Sequence, residues 1–188
     1  MTWDLPYTVE VGGVDRRIRT EYRDILRIIA YLTDEGKNSQ VRIFVALNMF
    51  YVDFKDIPQP LYEEATQQMM WFIACGEEDD GKPHPKTIDW EQDYQMIVAD
   101  VNKVAMREIR GPEKTHWWTF MAMFGGIGEG QLSMVVGIRE KLRTGKKLQD
   151  WERDFLNKNR SRVVFKKKYT TEEQEEIDRL NKILNGGD

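Results

Sequence analysis

Cys75, His84 and His116 are the side chains of this chain best suited to act as nucleophile, base or soft metal ligand. A thiol attacks as its thiolate and needs a base or a cationic neighbour to form it. Cys75 instead closes the apolar run from Trp71 to Ala74, where a thiol ordinarily serves as a small buried side chain. Neither histidine has a second histidine or a cysteine at ligand spacing, so no zinc site is expected. No nucleophile motif of known geometry accompanies them, which points away from an enzyme. A meeting of Cys75 and His116 in three dimensions is the one catalytic arrangement the sequence leaves open.

Two further motifs invite a ligand reading and fail on detail. Asp89, Glu91 and Asp93 alternate as in a calcium loop, but the sixth position, which requires glycine, is Tyr94, and the twelfth is Asp100 in place of a bidentate glutamate. Acids in the first turn of a helix stabilise its dipole without any metal. The glycines at 126, 128 and 130 resemble a phosphate loop only loosely, because an aromatic helix precedes them where a strand is needed and no Gly-Lys-Ser/Thr follows. They read as a hinge. No catalytic residue, metal or cofactor is expected.

Lys158, Arg160, Arg162, Lys166, Lys167 and Lys168 form a stretch without an acid and offer the one candidate contact to phosphates. Aromatic interleaving is limited to Phe165 and Tyr169, and the net charge of −4 opposes bulk attraction to nucleic acid. The stretch reads as a solvated linker ahead of the acid-rich segment 172–178. A nucleic-acid-binding accessory role is the alternative.

Positioning these residues falls to helices. His116, Trp117, Trp118, Thr119, Phe120, Met121, Ala122, Met123 and Phe124 concentrate aromatic area as no other stretch does. Trp117, Phe120, Met121 and Phe124 follow the i, i+3, i+4, i+7 rule and form one face, expected in the core together with Trp71 and Phe72. Trp118 lies about 100° round the helix from Trp117. It is read as partner-facing, with His116, Met123 and Met70, since exposed methionines make adaptable apolar contacts.

The remaining elements follow from periodicity and punctuation. Residues 7–19 read as a hairpin turning at Gly12 and Gly13. Thr20 caps a helix with Tyr22, Ile25, Leu26, Ile29 and Leu32 inward. Ser39 caps a second, apolar round most of its circumference and so expected to be central and buried. The prolines at 58 and 60 interrupt it, and a third helix runs from Leu61 to Cys75 with Gly76 as its left-handed cap. Residues 77–88 read as a mobile surface loop. Asp89 opens a helix with Tyr94, Ile97, Val98, Val101 and Val104 or Ala105 inward, and Pro112 suits the first turn of the aromatic helix. Helices around Leu132 to Ile138 and Leu148 to Leu156 follow. Thr171 and Gln174 form the capping box of a final helix.

The fold expected is mainly α: a single-domain helical bundle with a short N-terminal β-hairpin over 1–157, a basic linker over 158–170 and a C-terminal helix over 171–188. One cysteine excludes an intrachain disulfide and fits a reducing compartment. No run of apolar residues reaches membrane-spanning length, and the first residues lack a signal pattern, so no membrane partner is expected.

In order along the chain, the residues 71–76 (Trp-Phe-Ile-Ala-Cys-Gly), an acidic loop with lysines, 89–93 (Asp-Trp-Glu-Gln-Asp), 116–120 (His-Trp-Trp-Thr-Phe) and 136–139 (Val-Gly-Ile-Arg) resemble the landmarks of the phage gene-product-fifteen family. These are small proteins of tailed phages and prophages of Gram-positive bacteria. The resemblance runs from about Leu5 to the basic stretch near Lys168. It implies a tail-assembly chaperone or associated factor in the cytoplasm of the bacterial host, binding phage tail proteins, the tape-measure protein above all, with self-association or a structural tail or connector role as the alternative. It carries over no catalytic residues, and it has no counterpart for the closing helix.

Overall fold

The computed structural model describes residues 3–34, 36–78, 81, 82, 85–166 and the helical backbone of 171–184. His84, Lys167, Lys168 and part of the 77–88 loop lie outside the described residues, as do the side chains of the Thr171 and Gln174 capping box. The protein is mainly α-helical, opened by one antiparallel hairpin of β1 (Thr8–Val11) and β2 (Val14–Arg17). Val11 pairs with Val14 across Gly12 and Gly13, whose φ values of +63° and +72° are those of the tight turn that matches strand twist. Gly12 is favoured by its left-handed φ and by its close approach to the Leu61 side chain. A Cβ there would lie 2.5 Å from Leu61 Cδ1, and its N–H donates to Glu64 at 2.9 Å. The hairpin thus buries Val9 and Val11 against the third helix.

Eight helices follow in close succession: α1 (Tyr22–Leu32), α2 (Ser39–Phe50), α3 (Tyr62–Ile73), α4 (Tyr94–Ala105), α5 (Trp117–Gly125), α6 (Gln131–Arg143), α7 (Asp150–Lys158) and α8 (Arg160–Val163). A ninth, α9 (Thr171–Leu184), comes last among the described residues. Helix α1 packs on α2 and α5, α5 on α4, α4 on α6, α6 on α8 and α8 on α7. One buried cluster runs through them from Val9 to Val163.

Local chemistry moves several boundaries from where sequence puts them. Glu21, not Thr20, caps α1 by accepting from the Arg23 N–H, and Asn38, not Ser39, caps α2 by accepting from Gln40. Helix α4 starts at Tyr94 because the Asp89 carboxylate accepts from the backbone N–H groups of Glu91 and Gln92, closing a turn instead of opening a helix. Tyr94 and Val104 are exposed, while Met96, Ile97, Asp100 and Val101 face inward. Pro112 precedes the aromatic helix by several residues, and His116 is its cap.

Helix α2 is not central. Its stripe of Ala46, Leu47 and Phe50 is buried, but Val41, Ile43 and Phe44 lie open on the outer side. The linker reading also fails over residues 160–166: α8 seats Val163 in the core, while Arg160, Ser161, Arg162, Val164 and Lys166 around it face solvent.

Candidate partner-binding surfaces

Helix α5 is fixed at its first turn by three side chains. The His116 Nδ1 accepts from the Trp118 N–H at 3.1 Å, which makes it an N-cap, and its Nε2 lies 2.9 Å from the Pro6 carbonyl oxygen. Because Nδ1 accepts, the proton of the neutral ring sits on Nε2 and donates to Pro6. Burial pushes the His116 pKa down, against the opposing pull of that carbonyl. The Trp117 indole donates to the Ile73 oxygen and the Trp118 indole to the Phe72 oxygen, both at 2.9 Å. These are carbonyls of the last turn of α3, which a helix cannot satisfy from within.

Trp117 and Phe120 are fully buried, and Phe120 stacks on Tyr22 at 4.5 Å between centroids. Trp90 packs against Trp117, Phe120 and Phe124 and completes the cluster. Met121 and Phe124 are half-buried against it. Phe72 is fully buried, but Trp71 is 39% exposed and is not a core residue. The inward stripe of α3 is Ala65, Met69 and Phe72, so the residue immediately before Phe72 is turned about 100° away. Its ring meets Trp118 edge-on at 5.5 Å instead.

The four residues read as partner-facing do not form one exposed surface. Met70 is half-exposed on α3, Met123 packs half-buried against the core, and Trp118 and His116 are committed to the hydrogen bonds above. Cys75 sits just past α3 at φ +57°, sharing with Gly76 the left-handed cap that sequence assigns to the glycine alone. Burial, helped by the charge of Glu77, pushes its thiol up to about 11, the opposite of an activated nucleophile.

The acidic motif is structural in a way its spacing does not reveal. Asp93 and Arg139 form a buried, bidentate ion pair at 2.6 and 2.9 Å. The guanidinium also donates to the carbonyls of Thr87, Arg162 and Val163, so all five of its N–H groups have acceptors. Phe165 lies over it at 4.1 Å. Gln92 adds bonds to the Ser161 and Val164 carbonyls and accepts from the Lys166 N–H. Asp89, held by Lys86 and two backbone N–H groups against the effect of its burial, has its pKa lowered to about 2. Among the described residues no three His, Cys, Asp or Glu side chains group as a metal site would require. Of the basic stretch, Lys158 pairs with Asp154, and Arg160, Arg162 and Lys166 are exposed.

Gly130 serves packing. A Cβ there would lie 2.5 Å from both carboxylate oxygens of buried Asp100, which accepts from the Leu132 N–H at the start of α6 and pairs with Lys103. The approach, not phosphate, requires the glycine.

A further opening lies between α2 and α3, where a groove of about 1040 Å³ is lined on one wall by Gln40, Ile43, Phe44 and Leu47. The other wall carries Tyr62, Glu63, Thr66 and Gln67, with Gln59 at its end. Phe44 is 50% exposed and Ile43 39%. Phe44 meets the Phe54 ring edge-on at 5.4 Å and the Tyr62 ring at a tilt, 6.3 Å between centroids. Sequence analysis missed this surface because an all-round apolar helix reads as buried; the uncharged glutamines flanking the stripe were the available sign.

These features define a small helical protein whose buried polar groups hold its own elements together and which carries an open apolar groove between α2 and α3. The chain belongs to the bacteriophage Gp15 protein family, whose model matches residues 1–165, and it is therefore a phage protein. Helix α9 lies beyond the match. No curated protein and no solved structure matches the chain. Among the described residues no helix is long and apolar enough to cross a membrane.

Proposed function

We propose that this phage protein is a non-enzymatic tail-assembly chaperone, binding a tape-measure protein or another unassembled tail protein in the host cytoplasm. The observation that carries the reading is the apolar surface left open between α2 and α3, where Ile43 and Phe44 stand in solvent on a helix whose other face is core. Contiguous apolar area of this kind on a soluble protein marks an interaction site. Two of the three side chains best suited to chemistry point the same way, since His116 is a cap and burial raises the Cys75 thiol pKa to about 11. A long helical tail protein exposes apolar stripes until its assembly partners cover them, and many small copies of a soluble binder can mask such stripes cooperatively.

Co-expression with a tape-measure fragment tests the reading. A gain in soluble fragment and a shared gel-filtration peak are expected. An insoluble fragment with no complex would overturn it.

A further inference from the structure

We infer that the α2–α3 groove seats a single amphipathic helix whose polar flanks are neutral or basic, an inference that rests on the chaperone reading and gives its partner a chemistry. The shape argument comes from spacing. Positions 40, 43, 44 and 47 on α2 stand at i, i+3, i+4 and i+7, and positions 59, 62, 63, 66 and 67 repeat the same rhythm on the facing wall. Two walls of helical ridges accept the ridge of a third helix, as in any packed bundle. They present side chains and no free strand edge, so an extended peptide would gain no backbone ladder from the walls, whereas a helix satisfies its own backbone.

The charge argument selects among helices. Glu63 is the one charged residue lining the groove, and the rest of the rim is glutamine and threonine. An occupant with lysine or arginine beside its apolar ridge gains a partner there, while one flanked by acids meets repulsion. This disfavours the chain's own α9, which carries five acids against two bases over 171–184. The groove floor is apolar and its rim polar, the arrangement in which a few buried anchors supply most of the affinity. Phe44 and Ile43 are those anchors.

Two fluorescent synthetic helices of about 18 residues test this, sharing one leucine ridge at i, i+3, i+4 and i+7 and flanked by lysines in one and glutamates in the other. Anisotropy titration of the full chain is expected to show tighter binding of the lysine peptide. Phe44→Glu should weaken it by about tenfold or more, with the circular dichroism spectrum unchanged because that ring is half-exposed. Glu63→Lys, which alters only an exposed charge, should reverse the preference between the peptides and decides the matter even if Phe44→Glu does not fold. Equal binding by wild type and Phe44→Glu, preference for the glutamate peptide, or loss of self-association alone in Phe44→Glu would overturn the inference. Recovery of a tape-measure fragment by Phe44→Glu at the wild-type yield would also overturn it while leaving the chaperone reading intact. A fragment that never binds wild type, beside a lysine peptide that binds through Phe44, would reject the chaperone reading and retain the groove.

Discussion

The Trp117 indole donates its N–H to the Ile73 carbonyl at 2.9 Å, tying the first turn of α5 to the last turn of α3 across 44 residues of sequence. Trp118 repeats the contact one residue back, on Phe72. The two rings differ in what surrounds them, since Trp117 is fully buried and Trp118 only half so. Trp117→Ala is expected to cost about 3–5 kcal/mol through the cavity it leaves. Trp118→Ala should cost less, about 1–2 kcal/mol, from a lost hydrogen bond and lost ring contacts. Urea denaturation of both variants checks the order, and equal losses would show that the two indoles are equally structural.

Asp93 and Arg139 should behave as one unit. Arg139→Leu leaves the Asp93 carboxylate buried without its partner, and removal of one member of such a pair costs about 3–5 kcal/mol. Arg139 also holds the carbonyls of Arg162 and Val163, so the same variant should loosen the end of the basic stretch first. Limited proteolysis near residues 160–166 is the measurement. Combining Arg139→Leu with Asp93→Leu should be less damaging than the two single losses added together, because neither charge then stands alone.

The hairpin could be read in advance because paired glycines between short apolar runs have few other uses, and Trp117 because its helical face is continuous. The ion pair could not, since nothing in the local pattern of Asp93 names a partner 46 residues away. Asp93 looked like part of an acidic first turn, and only burial distinguishes it from Asp89 and Glu91. Trp71 and helix α2 failed for a common reason. Both are apolar, and sequence assigns apolar residues to the core, whereas much of any folded protein's surface is still apolar.

His116 gives the fold a pH dependence of definite sign. Its folded pKa lies below the usual histidine value, first because the ring is buried, so the unfolded chain binds the extra proton more readily. The stabilisation it supplies is therefore complete above about pH 6.5 and declines as pH falls below that toward the folded value. Protonation at Nδ1 would also break the cap on Trp118. Denaturant midpoints at pH 7.5 and 5.5 should fall for wild type and fall less for His116→Asn, which retains a capping oxygen and cannot titrate. An identical fall in both proteins would remove His116 as the source.

Gly130 and Gly128 separate two reasons for a glycine within one loop. Gly130 is extended, with φ −170°, so any residue could adopt its backbone, and the obstacle to a side chain is the Asp100 carboxylate 2.5 Å from where Cβ would stand. Nothing lies within 4 Å of a Cβ at Gly128. Gly130→Ala is expected to cost about 1–3 kcal/mol by overpacking against a carboxylate that also caps α6. Gly128→Ala should be neutral or gain up to about 1 kcal/mol by restricting the unfolded chain. Thermal melts distinguish the two, and the steric account makes one further demand. In an Asp100→Ala background, which removes the opposing oxygens, Gly130→Ala should lose most of its cost; a penalty that persisted there would mean that loop flexibility, and not the approach of Asp100, is what the glycine provides.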